Sequence, residues 1–313
     1  MLLIPLMVGW GIYRISPGIL VALLAELGWL RLLVLFSVNV GIFVLMVIRW
    51  QLVLQMQGYA IPLGFLLGCR LAGFGLNYFT PGPPVMGDPF QIYLLNRLQL
   101  IPLEEVIAAT AFDRLIELIC NVSVLTLGLL GILLYGSAGG VSVKGFWLAL
   151  FLLILPVGYL GLLFKGYFPL STLLNSFPEG GERGVRVRSL VQGTESRLVE
   201  FCRSSPWRVG ITLAFSGVVW VAMGVEYWLA LFFWGIYLDW GHTFGALILT
   251  RSIFMLPFSP GWGTLELGQL MAIDWLGKLA TVGLGLSFWM RLRDSLLGMG
   301  GLIWSQLVLR WRE

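Results

Sequence analysis

Eight ionisable residues stand in stretches of this chain that are otherwise apolar enough to enter lipid: Asp88, Asp113, Arg114, Glu117, Arg251, Glu266, Arg291 and Asp294. A charged side chain at membrane depth costs roughly 2.5–3.5 kcal/mol on insertion scales, so such groups pair or face a watery cavity and mark the path of an ion or polar substrate. Asp113 and Glu117 are four residues apart and share a helix face, where two unneutralised carboxylates repel. A cation must lie close to them. Arg114 is one position off that face, which leaves Arg251 or Arg291 from the other half to complete the network. The competing reading of the same groups is structural, as ion pairs that only hold the membrane bundle together.

Two interrupted stretches position these groups. Residues 256–266, LPFSPGWGTLE, set two prolines, two glycines and a carboxylate into apolar sequence. Ser259-Pro260 reads as a helix start, because Ser caps free N–H groups and Pro at the first helical position gives up a donor that is unpaired anyway. The counterpart is 76–97, LNYFTPGPPVMGDPFQIYLLNR, in which Thr80-Pro81-Gly82 matches Ser259-Pro260-Gly261. An acid follows each, Asp88 and Glu266. Backbone left unpaired by a break survives in a bilayer only against protein or a cavity. Two such breaks in corresponding places of two halves point to a transporter built of repeats, with its site at their meeting point near the midplane.

The composition agrees: 58% of residues are hydrophobic and 12% charged, against roughly 25% charged in a soluble domain, and the mean hydropathy is +0.89. Long apolar runs without short alternating segments favour a helical bundle over a barrel. The net charge of +4 comes from basic residues in loops and at membrane edges, where orientation places them, and no basic groove for nucleic acid is present. Cys69, Cys120 and Cys202 form no CxxC pair, so neither a disulfide framework nor a cysteine metal site is suggested, and they read as packed small apolar residues. His242 reads as an interfacial side chain rather than a metal ligand. No metal, cofactor or catalytic constellation is expected. Gly64-x-x-x-Gly68 and Gly241-x-x-x-Gly245 allow close helix approach, a weak signal in so glycine-rich a chain. The tryptophans suit interfacial belts, with Trp50 and Trp262 as exceptions.

The expected fold is an all-α polytopic membrane protein of two inverted-topology repeats, each with a re-entrant broken-helix hairpin. The membrane half 1–165 opens with a short helix at 1–13 and an interfacial one at 16–28. It continues with a span at 30–57, a hairpin at 63–98, a long helix at 102–135, a glycine-rich turn at 136–140 and a span at 145–164. Residues 166–208 form a basic linker, with a weakly amphipathic helix at 185–202 on the inner leaflet. The second half, 209–313, has an apolar segment at 209–237, a hairpin at 243–276 and a closing span at 282–309. Basic excess stays cytoplasmic, so the linker and the C-terminus are placed inside. The expected location is a bacterial or archaeal plasma membrane.

The physical reading of the site follows. Helix starts at 81–84 and 260–263 aim positive dipole ends and free N–H groups at the midplane, where a phosphate rests. Arg251 and Arg291 add charge-assisted bonds. Asp88 and Glu266 either pair with those arginines, the preferred reading, or receive an amine-bearing head group, and a protonatable carboxylate would also allow coupling to a proton gradient.

Three blocks resemble the flippase-like transmembrane region of lysylphosphatidylglycerol synthases and its stand-alone relatives. They are Pro81-Gly82, Gly87-Asp88 and Tyr93-Leu94-Leu95; Asp113, Arg114, Leu115 and Glu117; and Pro257, Ser259, Pro260, Gly261, Gly263 and Glu266. The blocks cover most of the chain in the family's order. The sequence departs from the pattern with Asp88 where Glu is usual, Gln91 where a basic residue is common, and Trp262 in place of a second glycine. The resemblance implies movement of a lipid with a polar or charged head group between leaflets. Aminoacyl transfer in that family belongs to a separate soluble domain, which the polar segment here is too short to form. The other functions weighed are a membrane-embedded enzyme using Asp88, Asp113 or Glu266 as base, and a non-catalytic partner of a lipid-modifying synthase or glycosyltransferase. A homodimer is a further partner expectation.

Overall fold

The computed structural model describes residues 27–80, 86–134, 143–176, 181–254 and 263–310. The helices expected at 1–13 and 16–28, the turn at 136–140, and Pro81, Gly82, Ser259, Pro260, Gly261 and Trp262 lie outside the described residues, apart from Leu27 and Gly28. Among the described residues there are eleven α-helices and no strand. They are α1 (Trp29–Met56), α2 (Leu63–Phe79), α3 (Gly87–Gln99), α4 (Leu103–Leu134), α5 (Val143–Lys165), α6 (Pro169–Asn175), α7 (Gly181–Ser204), α8 (Pro206–Phe233), α9 (Trp240–Phe254), α10 (Thr264–Trp275) and α11 (Ala280–Arg310).

Punctuation in the sequence sets many of these limits. Pro62 precedes α2, and Pro206 opens α8 at a position where its missing N–H goes unmissed. Glu104 and Glu105 sit in the first turn of α4, where carboxylates complement the positive end of the helix. Four of the described helices, α1, α4, α5 and α8, are long and apolar enough to cross a membrane. The 31 residues of α11 also exceed that length, but Arg291, Arg293 and Asp294 interrupt its middle. By contrast α2, α3, α9 and α10 have 17, 13, 15 and 12 residues. At about 1.5 Å per residue, each falls short of a hydrocarbon core of about 30 Å.

Small residues bring the short helices against the long ones. Where α2 crosses α11, a Cβ on Gly75 would lie 2.3 Å from the Gly298 carbonyl oxygen, and one on Gly301 would lie 2.2 Å from the Leu71 carbonyl carbon. Gly68 on the same face of α2 lies under the Trp304 indole. Close backbone approach of this kind lets helices associate inside lipid, where no hydrophobic force drives them together. The Gly301→Val variant is therefore expected to lose about 1–3 kcal/mol by overpacking, read as a lower midpoint of thermal aggregation in detergent. The Gly64 position, one half of a spacing singled out in the sequence, meets open space instead.

The halves interlock. α1 packs against α8, α2 against both α3 and α11, and α9 against both α10 and α4. One apolar core joins α1–α5, α7 and the start of α8, with Trp50 fully buried in it. A second joins α8–α11 and Leu35 of α1.

The segment read as a basic linker is more firmly built than its composition suggests. Leu198, Val199, Phe201 and Cys202 of α7 belong to the first core. The buried Glu195 carboxylate accepts the Leu170 and Ser171 N–H groups, both at 2.9 Å, and so caps the start of α6. It also accepts the Ser171 and Tyr159 hydroxyls at 2.6 and 3.2 Å. The chain between the halves is thus docked on α4 and α5 through α7.

Candidate functional site

Asp113 and Glu117 do share a face of α4, and their cations come from α1 and α2. Arg49 Nε donates to Asp113 Oδ1 at 2.7 Å, and Arg70 Nη1 donates to Asp113 Oδ2 at 3.1 Å. Glu117 Oε2 accepts from Arg49 at 3.0 Å, Arg70 at 3.2 Å and Arg114 at 2.8 Å. The expectation that Arg251 or Arg291 would neutralise this pair is corrected: three arginines of the same half, Arg49, Arg70 and Arg114, already do so. A remaining donor of Arg49 reaches across to Ser216 of α8 at 2.8 Å.

Asp88 stands in the first turn of α3 and holds Arg114 of α4 with both oxygens, at 2.9 and 2.5 Å. It thus pairs with Arg114 rather than with Arg251 or Arg291. Gly87 positions it, because a Cβ there would lie 2.4 Å from the Gly73 carbonyl, so only glycine lets α3 approach α2 this closely. Glu266 likewise stands in the first turn of α10 and takes Arg291 of α11 with both oxygens, at 2.7 and 2.8 Å. The two latches have nearly the same separation along the chain.

The prolines within 81–84 and at 260 lie outside the described residues. α3 begins at Gly87, and α10 begins at Thr264 after Gly263, whose φ of +93° favours glycine. Their first N–H groups are also engaged, since Gly87 N donates to Asn77 Oδ1 at 2.7 Å and Gly263 N to Glu266 Oε2 at 3.1 Å. With a carboxylate in each first turn, these dipole ends are neutralised from within. A bound anion would have to rely on arginines instead.

The second half holds its own network. Arg293 of α11 contacts Glu226 of α8 and donates to Asp294 at 2.8 Å. Asn39 of α1 donates to both Glu226 oxygens, at 3.1 and 3.3 Å. Tyr78, near the end of α2, donates to the Arg291 carbonyl at 3.2 Å, which ties the first break to α11. Thr80 caps the end of α2 and is half-buried.

Three adjoining cavities open between these networks. One of about 280 Å³ lies among Asn77 and Tyr78 of the first half and Glu226, Arg251, Arg291 and Asp294 of the second. Another of about 250 Å³ touches Arg70, Gln91, Arg114 and Glu117 on one side and Arg251, Arg293 and Asp294 on the other. A third of about 210 Å³ adjoins Arg49, Glu117 and Ser216. Arg251 and Met223 line all three. Asp113 is fully buried behind the cavity wall. His242 lies elsewhere, paired with Asp239 ahead of α9.

The family comparison covers nearly this whole framework. The model of the lysylphosphatidylglycerol synthase TM region matches residues 1–296. The chain belongs to that family. It is an integral membrane protein that carries the family's TM region. No curated protein and no solved structure matches the sequence.

Within this member, Arg49, Arg70, Glu226 and Arg293 join the site beyond the eight ionisable residues singled out from the sequence. Each is a lone charge in an apolar run or beside a chosen one, which was signal enough. A stronger signal is the recurrence of Arg-Leu-x-acid, as Arg114-Leu115-Ile116-Glu117 in α4 and Arg291-Leu292-Arg293-Asp294 in α11. The latch arginine heads both.

Proposed function

We propose that this chain moves a lipid with a polar or charged head group between leaflets, passing the head group through the cavities around Arg251. The observation that carries this reading is the trio of cavities lined by charged side chains from both halves, among helices apolar enough to cross a membrane. A phosphate needs charge-assisted donors once it leaves water, and an amine needs carboxylates. Both kinds of group line these cavities.

The same reading takes the two halves as inverted repeats and the pairs α2–α3 and α9–α10 as re-entrant hairpins. Four supports bear on it. The short helices cannot span alone; their packing partners correspond, since α2 meets α11 as α9 meets α4; each carries an equivalent acid–arginine latch; and Arg-Leu-x-acid recurs. Opening one latch while its counterpart stays closed would expose the cavities to one leaflet at a time, as alternating access in repeat-built transporters requires.

The test is reconstitution in liposomes with a head-group-labelled phospholipid and a membrane-impermeant quencher. Accelerated loss of protected label, with the lipid's mass unchanged, is expected. A chemically altered lipid would point to a membrane-embedded enzyme, and leaflet exchange no faster than in protein-free vesicles would reject translocation.

A further inference from the structure

Away from the central cavities, α4 and α7 enclose an apolar groove of about 520 Å³, within the range of about 300–1,000 Å³ typical of ligand sites. Ile107, Ala111 and Leu118 form one wall, and Val187, Leu190 and Leu198 the other. Its closed side contains Tyr159 and Glu195, but the four hydrogen bonds accepted by Glu195 leave that carboxylate satisfied. The walls therefore offer an occupant hydrocarbon contact and little else. At one point the lining changes character: Arg114 borders this groove and also the polar cavity that contains Arg70, Glu117 and Arg251.

A lipid in transit has two parts with opposite needs. Its head group must stay among polar partners, and its tails must stay in an apolar surround. A path for the head group alone is therefore incomplete; it has to open sideways where polar and apolar linings meet. Arg114 marks such a place. Of its five N–H donors, three bond Asp88 and Glu117, so a phosphate oxygen at the boundary could still be met.

We propose that this groove seats one acyl chain of the translocated lipid while its head group lies in the polar cavity on the far side of Arg114. The inference rests on the translocation reading and adds the side door that reading lacks. The occupant is an anionic phospholipid of the leaflet on which α7 lies. Arg186 and Arg203 are exposed on that helix and attract anionic head groups, whereas Arg197 is already paired with Glu105 and Glu200.

The experiment uses the full chain in lipid nanodiscs doped with phosphatidylglycerol that carries a diazirine at the end of one acyl chain. After illumination, mass spectrometry is expected to find label on peptides from both walls, 107–118 and 187–198. Ala111→Trp on α4 and Thr194→Trp on α7 each fill the groove from opposite sides. Each is expected to cut wall labelling by more than half, with labelling of the exposed α5 face at Phe151 and Ile154 unchanged. Wall labelling equal to the parent's in both correctly eluting variants overturns the inference, even where leaflet exchange is intact. So does absence of wall label together with crosslinking of Thr194→Cys to a second copy of the chain. A parent that labels as expected but shows no leaflet exchange overturns the translocation reading instead.

Discussion

The Asp113→Ala variant is expected to be the least stable single substitution in this protein. Both Asp113 oxygens are bonded, one to Arg49 and one to Arg70, and all three side chains are nearly or fully buried. Removing the carboxylate leaves two buried guanidinium groups sharing Glu117 alone, and breaking a buried pair in this way costs about 3–5 kcal/mol. Such a loss is a large fraction of a typical fold's margin. The readout is a fall in monodisperse protein recovered from membranes, with a lowered thermal midpoint in what remains. Asp88→Ala should do less damage, because Arg114 keeps its bond to Glu117 and both partners are about one-third exposed. If the two variants prove equally stable, Asp113 is not the anchor of the α1–α2–α4 junction.

Arg251→Ala is expected to show the opposite pattern, with the fold retained and transport lost. Its side chain borders all three cavities described above. Asn39, Glu226 and Arg293 beside it also bond one another. A donor to a charged group contributes about 1.5–3 kcal/mol, so leaflet exchange should slow by roughly tenfold to a hundredfold in the liposome assay. Glu266→Gln should also abolish exchange by another route, since it weakens the latch on Arg291 while Gln still fills the space. Normal exchange in both variants, at normal membrane expression, would remove these cavities from the mechanism.

Much of the framework could be read from residue order because helix ends in this chain carry strong punctuation. Residues 63–79 were bounded correctly by Pro62 on one side and the Thr80-Pro81 step on the other, and the other helix ends shift by a few residues. The starts that Pro81 and Pro260 suggest lie outside the described residues. The described helices α3 and α10 begin at or beside a glycine, where a close approach or a positive φ is needed. The shared face of Asp113 and Glu117 followed from helical spacing alone. Their partners did not, because Arg49 and Arg70 lie in sequence that reads as plain membrane helix, and only packing brings α1 and α2 onto α4. The docking of α7 was hidden by its charge. Its mean composition is polar, and the four apolar residues from Leu198 to Cys202 that enter the core occupy only its last turns.

The two networks contain Arg49, Arg70, Arg114, Arg251, Arg291 and Arg293 against Asp88, Asp113, Glu117, Glu226, Glu266 and Asp294. With every group ionised, six positive charges meet six negative ones. A rearrangement that carries the whole set through the bilayer then moves no net charge, while each uncompensated charge would feel about 2.3 kcal/mol per 100 mV. The electrical driving force is thereby left to act on the cargo alone, so turnover should track voltage for a charged lipid and ignore it for a zwitterion.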